Sequence, residues 1–208
     1  MTLVKICGIT NLDDALAAVD AGADALGFNF YEKSPRYVAP ETAQTIVEQL
    51  PASVLKVGVF VNVESTSMLN EMARGLGLEL LQLHGDESPE YCAELSEYPV
   101  MKALAVSEDF QPGEVSRYKV DSILLDTSDR NLRGGTGRTF NWTIAQRVRE
   151  LVPKLFLAGG LSPENVVEAV NLVQPFAVDT CSAVESSPGR KDHQRMRQFV
   201  QAVRDVKP

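Results

Sequence analysis

Few residues in this chain could bind a transition metal or form disulfides. Its 208 residues include only three cysteines and two histidines. Cys7, Cys92 and Cys181 are odd in number and far apart, and no Cys-x-x-Cys pair or Cys/His cluster occurs. Such spacing disfavours a disulfide framework. With only His84 and His193 beside them, a zinc centre is also disfavoured. We therefore expect reduced thiols and no metal site.

Long apolar runs and an excess of positive charge are also missing. No apolar run approaches the roughly 20 residues that a membrane helix needs. Lys and Arg number 20 against 28 Asp and Glu, which gives a formal net charge of −8. An acidic surface repels phosphate backbones and anionic lipids, so we expect neither nucleic acid nor a membrane as a partner. The opening MTLVKICGIT is expected to be a strand rather than a signal peptide, which favours a cytoplasmic location.

The chain also lacks a Pro/Gly/Ser-rich linker, a block of like charges and a low-complexity tract, so we expect one domain covering residues 1–208. Short apolar runs of strand length recur eight times. These runs are Leu3–Ile9, Ala23–Phe30, Leu55–Val61, Leu78–His84, Val100–Val106, Ser122–Asp126, Leu155–Gly159 and Phe176–Cys181. Stretches with helical spacing separate them. These stretches are Asn11–Ala21, Pro40–Leu50, Ser65–Leu76, Ser88–Leu95, Glu108–Tyr118, Trp142–Leu151, Pro163–Val173 and Lys191–Val206.

Eight strands alternating with eight helices predict a parallel sheet, and this chain length suits the lower end of the (β/α)8 TIM barrel, an α/β fold. An open doubly wound sheet also alternates but usually has fewer strands. Two local details accompany this prediction. Ser88-Pro89 and Ser162-Pro163 are expected to open helices as cap and first residue. Glu108–Tyr118 is the weakest helix because Pro112 and Gly113 interrupt it.

Barrels of this type carry their active sites at the C-terminal ends of the strands. Polar residues and glycines collect at those ends, at Cys7-Gly8, Asn29, Asn62, His84-Gly85, Asp126, Gly159-Gly160, Asp179 and Cys181-Ser182. Strand alternation directs Cys7, His84 and Asp126 into the barrel mouth. Their neighbours Ile6, Leu83 and Leu125 are apolar, which suits the face that packs on helices.

Three glycine-containing loops are candidates for a phosphate site. Gly159-Gly160 ends the seventh strand, and Asp179 to Glu185 would follow the eighth with a short extra helix. The loops after these two strands commonly bind phosphate in this fold. A third loop, Arg133 to Arg138, contains Gly134 and Gly135. One glycine-rich loop is a weak signal, but three at one barrel mouth favour a phosphorylated ligand.

Motifs along the whole chain resemble one family of barrel enzymes. These motifs are Lys5-Ile-Cys-Gly-Ile-Thr10, Ser34-Pro-Arg-Tyr37, Gln82-Leu-His-Gly85, Leu125-Asp-Thr127, Gly134-Gly-Thr-Gly137, Ala158-Gly-Gly160, Asp179 to Glu185 and Pro188-Gly-Arg-Lys-Asp192. Their set and order are similar to the phosphoribosylanthranilate isomerase family of tryptophan biosynthesis. The opening Lys-x-Cys-Gly-Ile-Thr combined with Leu-Asp-Thr is the most specific part of the resemblance.

The resemblance implies an Amadori rearrangement without a cofactor, in which an aldosylamine becomes an aminoketose. It implies Cys7 as the catalytic base and Asp126 as the catalytic acid. It further implies that Arg36 binds the anthranilate carboxylate and that His84 lines the pocket. Backbone N–H groups of the glycine-rich loops and of the segment after the eighth strand would bind phosphate. The residues of this phosphate site are Gly134, Gly135, Gly159, Gly160, Cys181 and Ser182. Cys181 and Ala183 depart from the family pattern, in which Ser and Gly are usual.

Plainer structural roles compete with these assignments. Cys7 could be a small buried core residue, Asp126 a loop cap, Arg36 a solvated surface charge, and His84 a hydrogen-bonded structural residue. Other residues have a structural role as their first interpretation. Lys5 is expected to pair with Asp179 inside the barrel. Cys92 is expected to lie in a helix and pack against the protein core, and His193 to lie on the protein surface at the start of a helix.

Other functions remain as alternatives. A phosphate-binding lyase or synthase similar to indole-glycerol-phosphate synthase, or a sugar-phosphate epimerase, could use the same scaffold. Epimerases usually use paired acids or metal-binding histidines, and a histidine-pathway isomerase would be expected to use two aspartates. A non-catalytic barrel that binds a ligand or a partner protein is the last alternative. The sequence leaves a monomer and a homodimer equally open.

Overall fold

The structure is a computed structural model that describes residues 1–107, 109–127 and 140–206. Eight parallel strands close into a barrel in the order β1 to β8, with β1 hydrogen-bonded to β8. The strands are β1 (Leu3–Cys7), β2 (Ala25–Asn29), β3 (Leu55–Phe60), β4 (Leu80–Leu83), β5 (Val100–Val106), β6 (Ser122–Thr127), β7 (Leu155–Leu157) and β8 (Ala177–Thr180). The predicted (β/α)8 barrel is confirmed, and each predicted strand is present with ends shifted by a few residues at most.

Helices follow the strands in the predicted order. The α-helices are α1 (Leu12–Asp20), α2 (Pro40–Val47), α3 (Thr66–Leu76), α4 (Pro89–Glu94), α5 (Trp142–Arg149), α6 (Val166–Val173) and α7 (His193–Arg204). The weak helix expected around Pro112 is a 3₁₀ helix, Pro112–Arg117. This tighter form suits a short segment that opens with Pro and Gly. In the described part of the chain, no helix is long and apolar enough to cross a lipid bilayer.

Local sequence explains where several helices begin. Asn11 accepts a hydrogen bond from the backbone N–H of Asp14, and Ser88 accepts one from Tyr91 with Pro89 in the first turn. These caps satisfy N–H groups that have no partner within the helix. The expected cap at Ser162-Pro163 is wrong, because α6 begins only at Val166. The Ser162 hydroxyl instead accepts a bond from Glu164 N–H in a preceding turn.

Strand alternation separates two apolar clusters. The larger cluster lies between the sheet and the helices and includes Ile6, Leu83 and Leu125, as predicted. The smaller one fills the barrel interior with Val57, Met101, Leu124, Phe156 and other residues. Fully burying one such side chain contributes about 1.5–3 kcal/mol. The barrel interior is therefore filled with apolar side chains below the C-terminal ends of the strands.

The segment after β8 contains one predicted and one unpredicted element. The expected short extra helix is present as a 3₁₀ helix (Ser182–Val184), and an unpredicted two-stranded antiparallel hairpin follows it, β9 (Glu185–Ser187) and β10 (Arg190–Lys191). Gly189, at the turn, has a φ of +77°. The expectation of a helix starting at Lys191 is corrected, because Lys191 ends the hairpin and Asp192 caps α7. The hairpin places the charged side chains of Glu185 and Lys191 beside the barrel mouth.

Candidate active site

The described residues predicted for catalysis and binding lie at one end of the barrel. Cys7 is the last residue of β1, and Asp126 lies one residue before the end of β6. In the closed barrel, β8 and β7 separate these two strands. His84 follows β4, Arg36 lies in the loop after β2, and Cys181 follows β8. The thiol and the carboxyl group therefore enter the same mouth from different sides.

Cys7 lies among positively charged and hydrogen-bonding neighbours. Gly27 of β2 leaves room for it: a Cβ atom on that glycine would lie 2.7 Å from Cys7 Sγ and 3.2 Å from Lys5 Nζ. A hydrogen bond with the Cys181 thiol holds the pKa of Cys7 well below its ordinary value, although burial acts in the opposite direction. The ammonium groups of Lys5 and Lys191 lower it further. These neighbours favour the thiolate of Cys7, the form in which sulfur accepts a proton.

The predicted pair of Lys5 and Asp179 is confirmed beneath Cys7. Lys5 Nζ lies 2.7 Å from Asp179 Oδ1, and the Lys5 side chain is fully buried. Burial opposes the charge on Lys5, but the adjacent Asp179 and Cys7 raise its pKa above the ordinary value. Burial raises the pKa of Asp179 to about 7, helped by the negative charges of Cys7 and Asp126, while Lys5 acts in the opposite direction. The pKa of Asp179 therefore depends on the charges of both Cys7 and Asp126.

Asp126 is buried and held from two directions. Its Oδ1 atom accepts a hydrogen bond from the backbone N–H of Thr127 at 2.7 Å. Its Oδ2 atom lies 3.5 Å from His84 Nε2, and Gln82 Nε2 lies 2.8 Å from His84 Nδ1. Gln82 thus contacts one ring nitrogen of His84, and the other ring nitrogen faces Asp126. His84 therefore borders the carboxyl group at Oδ2, the oxygen away from Thr127 N–H.

Arg36 lies at the rim of the barrel mouth and makes a bidentate ion pair with Glu185 of the hairpin. Its Nε and Nη2 atoms lie 2.9 Å and 2.8 Å from the two Glu185 carboxylate oxygens. Lys191 Nζ binds the same Glu185 at 3.0 Å. Burial would raise the pKa of Glu185, but the bonds from Arg36 and the charge of Lys191 lower it. Among the described residues, no hydrogen-bond partner lies at the third guanidinium nitrogen, Nη1.

The loops predicted for phosphate are described in part. Gly159 and Gly160 have φ of +81° and +67°, a backbone form that glycine adopts without strain. A Cβ atom on Gly159 would lie only 2.7 Å from the backbone nitrogen of Thr127. Thr180 Oγ1 donates to Leu161 O, which ties this loop to β8 next to Cys181 and Ser182. Gly134 and Gly135 lie outside the described residues.

Three residues of the site received no role from the sequence. Glu185 and Lys191 come together through the hairpin, and Gln82 orients His84. Pro188-Gly189 between two short polar runs was the available signal for a turn. No local pattern marks Glu185 as the partner of Arg36, because the two lie 149 positions apart. Metal binding is not suggested by the described residues, in which no three His, Cys, Asp or Glu side chains could hold an ion together.

These features define a class: a (β/α)8-barrel protein with an ionisable thiol and a carboxyl group at the C-terminal ends of two of its strands, β1 and β6. Known proteins resemble it closely. A family profile described as N-(5'-phosphoribosyl)anthranilate (PRA) isomerase matches residues 4–202. The N-(5'-phosphoribosyl)anthranilate isomerase of Geobacter metallireducens is 50% identical over 204 residues, which cover 98% of this chain and all of that protein. Its counterpart in Thermotoga neapolitana is 48% identical over 207 residues, covering 99% and 100%.

Solved structures agree with the sequence comparisons. Phosphoribosyl anthranilate isomerase from Thermotoga maritima is 44% identical, with a TM-score of 0.92 over 98% of this chain and 99% of that one. A structure of such an isomerase in complex with reduced 1-(O-carboxyphenylamino)-1-deoxyribulose 5-phosphate is 43% identical, with a TM-score of 0.88 and the same coverage. The chain belongs to the N-(5'-phosphoribosyl)anthranilate isomerase family. The expected family, enzyme class and fold are therefore confirmed.

Proposed function

We propose that this chain isomerises N-(5'-phosphoribosyl)anthranilate to 1-(2-carboxyphenylamino)-1-deoxyribulose 5-phosphate in tryptophan biosynthesis, without a cofactor. The observation that carries the proposal is the placement of Cys7 and Asp126 at the same barrel mouth, on strands separated by β7 and β8. An Amadori rearrangement needs an acid and a base on one small molecule. The lowered pKa of Cys7 favours the thiolate that the proposed base needs.

The proposed chemistry has two proton transfers. Asp126 gives a proton to the ribose ring oxygen, the C1–O bond breaks, and the nitrogen lone pair forms a C1=N Schiff base. The Cys7 thiolate then takes the proton from C2, and the electrons of the C–H bond form the enol amine that becomes the aminoketose. Positioned acid–base catalysis of this kind typically contributes ~10²–10⁴-fold. The remaining acceleration comes from holding the substrate in one orientation.

The charged groups at the rim support a binding mode for the two ends of the substrate. Glu185 takes the Nε and Nη2 side of Arg36, so the Nη1 and Nη2 end of the guanidinium is available to an anthranilate carboxylate. A guanidinium has five N–H donors and can hold two carboxylates in this way. We place the phosphate on backbone N–H groups of Gly159, Gly160, Cys181 and Ser182. Gly134 and Gly135 remain proposed contributors, and His84 lines the pocket beside Asp126.

The direct test is conversion of the substrate by the purified chain. N-(5'-phosphoribosyl)anthranilate is fluorescent, so its loss is followed in buffer containing a metal chelator, and the product is identified by mass and chromatography. We expect rapid loss of fluorescence and one isomeric product of unchanged mass. Recovery of free anthranilate and phosphoribose, or no reaction faster than buffer, would contradict the proposal.

Three broader expectations accompany this function. We propose that residues 1–208 form one domain, which the continuous closed barrel supports. We propose a small phosphorylated substrate as the partner, no nucleic acid, and a monomer or homodimer as the active form. A Thermotoga maritima isomerase similar to this chain is described as dimeric. A cytoplasmic location is supported by three free cysteines in the structure.

A further inference from the structure

Cys7 has a second sulfur beside it. The parallel pairing of β1 with β8 joins Lys5 to Asp179 and Ile6 to Thr180. Continuing this register by one residue brings Cys7 opposite Cys181. Both side chains share the inward face of Lys5 and Asp179, because residues two apart on a strand point to the same side. A Cβ atom on Gly8, the residue after Cys7, would lie 2.9 Å from Cys181 Sγ, and each of the two thiols shifts the pKa of the other.

We propose that Cys7 and Cys181 form an oxidation site, in which a peroxide converts the two thiols into a reversible disulfide that switches the isomerase off. Neighbouring strands lie about 4.8 Å apart, and disulfides usually join Cα atoms about 4.4–6.8 Å apart. The register therefore brings the two cysteines within bonding range without a change of fold. Both cysteines are partly exposed at the mouth, whereas Cys92 is buried in α4. This proposal rests on the proposed function only for its effect on activity.

The charges around the pair assign different roles to the two sulfurs. Cys7 has Lys5 and Lys191 nearby and is the better nucleophile. Cys181 keeps its proton because the hydrogen bond with Cys7, together with burial, raises its pKa. Lys191 Nζ lies 3.7 Å from Cys181 Sγ, and Arg36 also favours the anionic form. Oxidation of Cys7 removes the charge that restrains Cys181, so the second sulfur becomes reactive after the first step.

The proposed reaction balances with hydrogen peroxide as the oxidant. The Cys7 thiolate attacks the O–O bond, a sulfenic acid forms, and hydroxide leaves and takes up a proton. Cys181 loses its proton and attacks the sulfenic sulfur, the S–O bond breaks, and the S–S bond forms with release of a second water. Two thiols are oxidised and one peroxide is reduced to two waters. A disulfide sulfur cannot take the proton from C2, so isomerisation stops until a thiol reductant restores both groups.

The test treats the purified full chain with hydrogen peroxide in slight excess and follows three quantities. Denatured samples are titrated for free thiols, digested samples are mapped for a Cys7–Cys181 cross-link by mass spectrometry, and isomerase activity is measured before and after dithiothreitol. We expect loss of two of the three thiols, the named cross-link, and activity that falls and returns together with it. The Cys92→Ala variant is the matched control and should give the same cross-link with no free thiol remaining.

Cys181→Ser separates a reversible site from simple damage. Its activity is compared only with its own untreated value, because the backbone of Cys181 belongs to the proposed phosphate site. We expect this variant to lose activity that dithiothreitol recovers only in part, since Cys7 without its partner proceeds to sulfinic acid. Oxidation of the parent chain that stops at Cys7 alone, or a cross-link to Cys92, overturns the proposal. The cross-link is read independently of turnover, so a chain that forms it but lacks isomerase activity contradicts only the proposed function.

Discussion

Lys5 Nζ lies 2.7 Å from Asp179 Oδ1 and also interacts with the Cys7 thiol. This buried cation opposes the rise in the pKa of Asp179 and lowers the pKa of Cys7. We propose that Lys5 is a positioning residue, which acts through Cys7 without a direct part in proton transfer. These interactions also explain why a fully buried lysine, normally costly, is present in the barrel interior.

Lys5→Met should therefore raise the pKa of Cys7. With Cys7 as the proposed base, isomerisation needs the thiolate, so we expect kcat/KM to rise with pH through the pKa of Cys7. Without the cation, we expect this acidic limb of the pH profile to move to higher pH. Alkylation of Cys7 by iodoacetamide at neutral pH should slow in parallel. Lys56→Met is the matched control, since Lys56 pairs with Glu79 toward the opposite end of the barrel. An unchanged profile in Lys5→Met would contradict the role.

Asp179 should make the protein less stable as pH rises. Burial raises its pKa from 3.8 to about 7, with Cys7 and Asp126 adding to the effect. Between these values the folded state holds a proton that the unfolded chain has released. The free energy of unfolding then falls as pH increases from the unfolded pKa toward the folded one. Urea unfolding at about pH 5 and about pH 8 should show a smaller pH dependence in Asp179→Asn than in the parent chain. Equal slopes would exclude Asp179 as the source.

The sequence predicted the barrel because its signal is local and repeated. Alternation along β1 and β6 also assigned the inward faces of Cys7 and Asp126, and it anticipated the pairing of Lys5 with Asp179. Helix starts were less certain: Ser162-Pro163 has the composition of a cap, but Asn165 takes that position for α6. There the loop after β7 turns through Gly159 and Gly160 before the helix can start.

The contacts between distant loops could not be predicted from local patterns. Arg36 was expected to bind a substrate carboxylate, and the structure adds that Glu185 already holds one edge of its guanidinium. The proximity of Cys7 and Cys181 depends on the register between β1 and β8, which is set only when the barrel closes. Such long-range pairs follow from the closed topology and not from residue periodicity.

Cys7→Ser and Asp126→Asn should each remove most turnover and leave ligand binding nearly intact. A serine hydroxyl is far less acidic than a thiol, and an amide does not donate a proton as a carboxylic acid does. We expect kcat to fall by about 10²–10⁴-fold in each variant. Calorimetric binding of the reduced aminoketose product should change little. Asp121→Asn makes the same substitution at the opposite end of β6, where Asp121 Oδ2 accepts the Val100 N–H. This control should keep its kcat, and a near-normal kcat in either test variant would refute its assigned role.

Arg36→Lys should weaken substrate binding more than catalysis. Lysine keeps the positive charge but cannot hold Glu185 and a substrate carboxylate on two edges of one planar group. Hydrogen bonds to charged groups contribute about 1.5–3 kcal/mol, so KM should rise by about tenfold or more. Steady-state kinetics will measure KM and kcat separately.

A substrate analogue without the carboxylate, the phosphoribosyl derivative of aniline, identifies which contact is lost. If Arg36 binds the anthranilate carboxylate, the parent chain should bind this analogue weakly, and Arg36→Lys should weaken it no further. Glu185→Gln keeps the hydrogen-bonding shape beside Arg36 but removes its negative charge, so its KM should lie between those of the parent and Arg36→Lys. Equal losses for both substrates in Arg36→Lys would mean that Arg36 shapes the loop and does not contact the carboxylate.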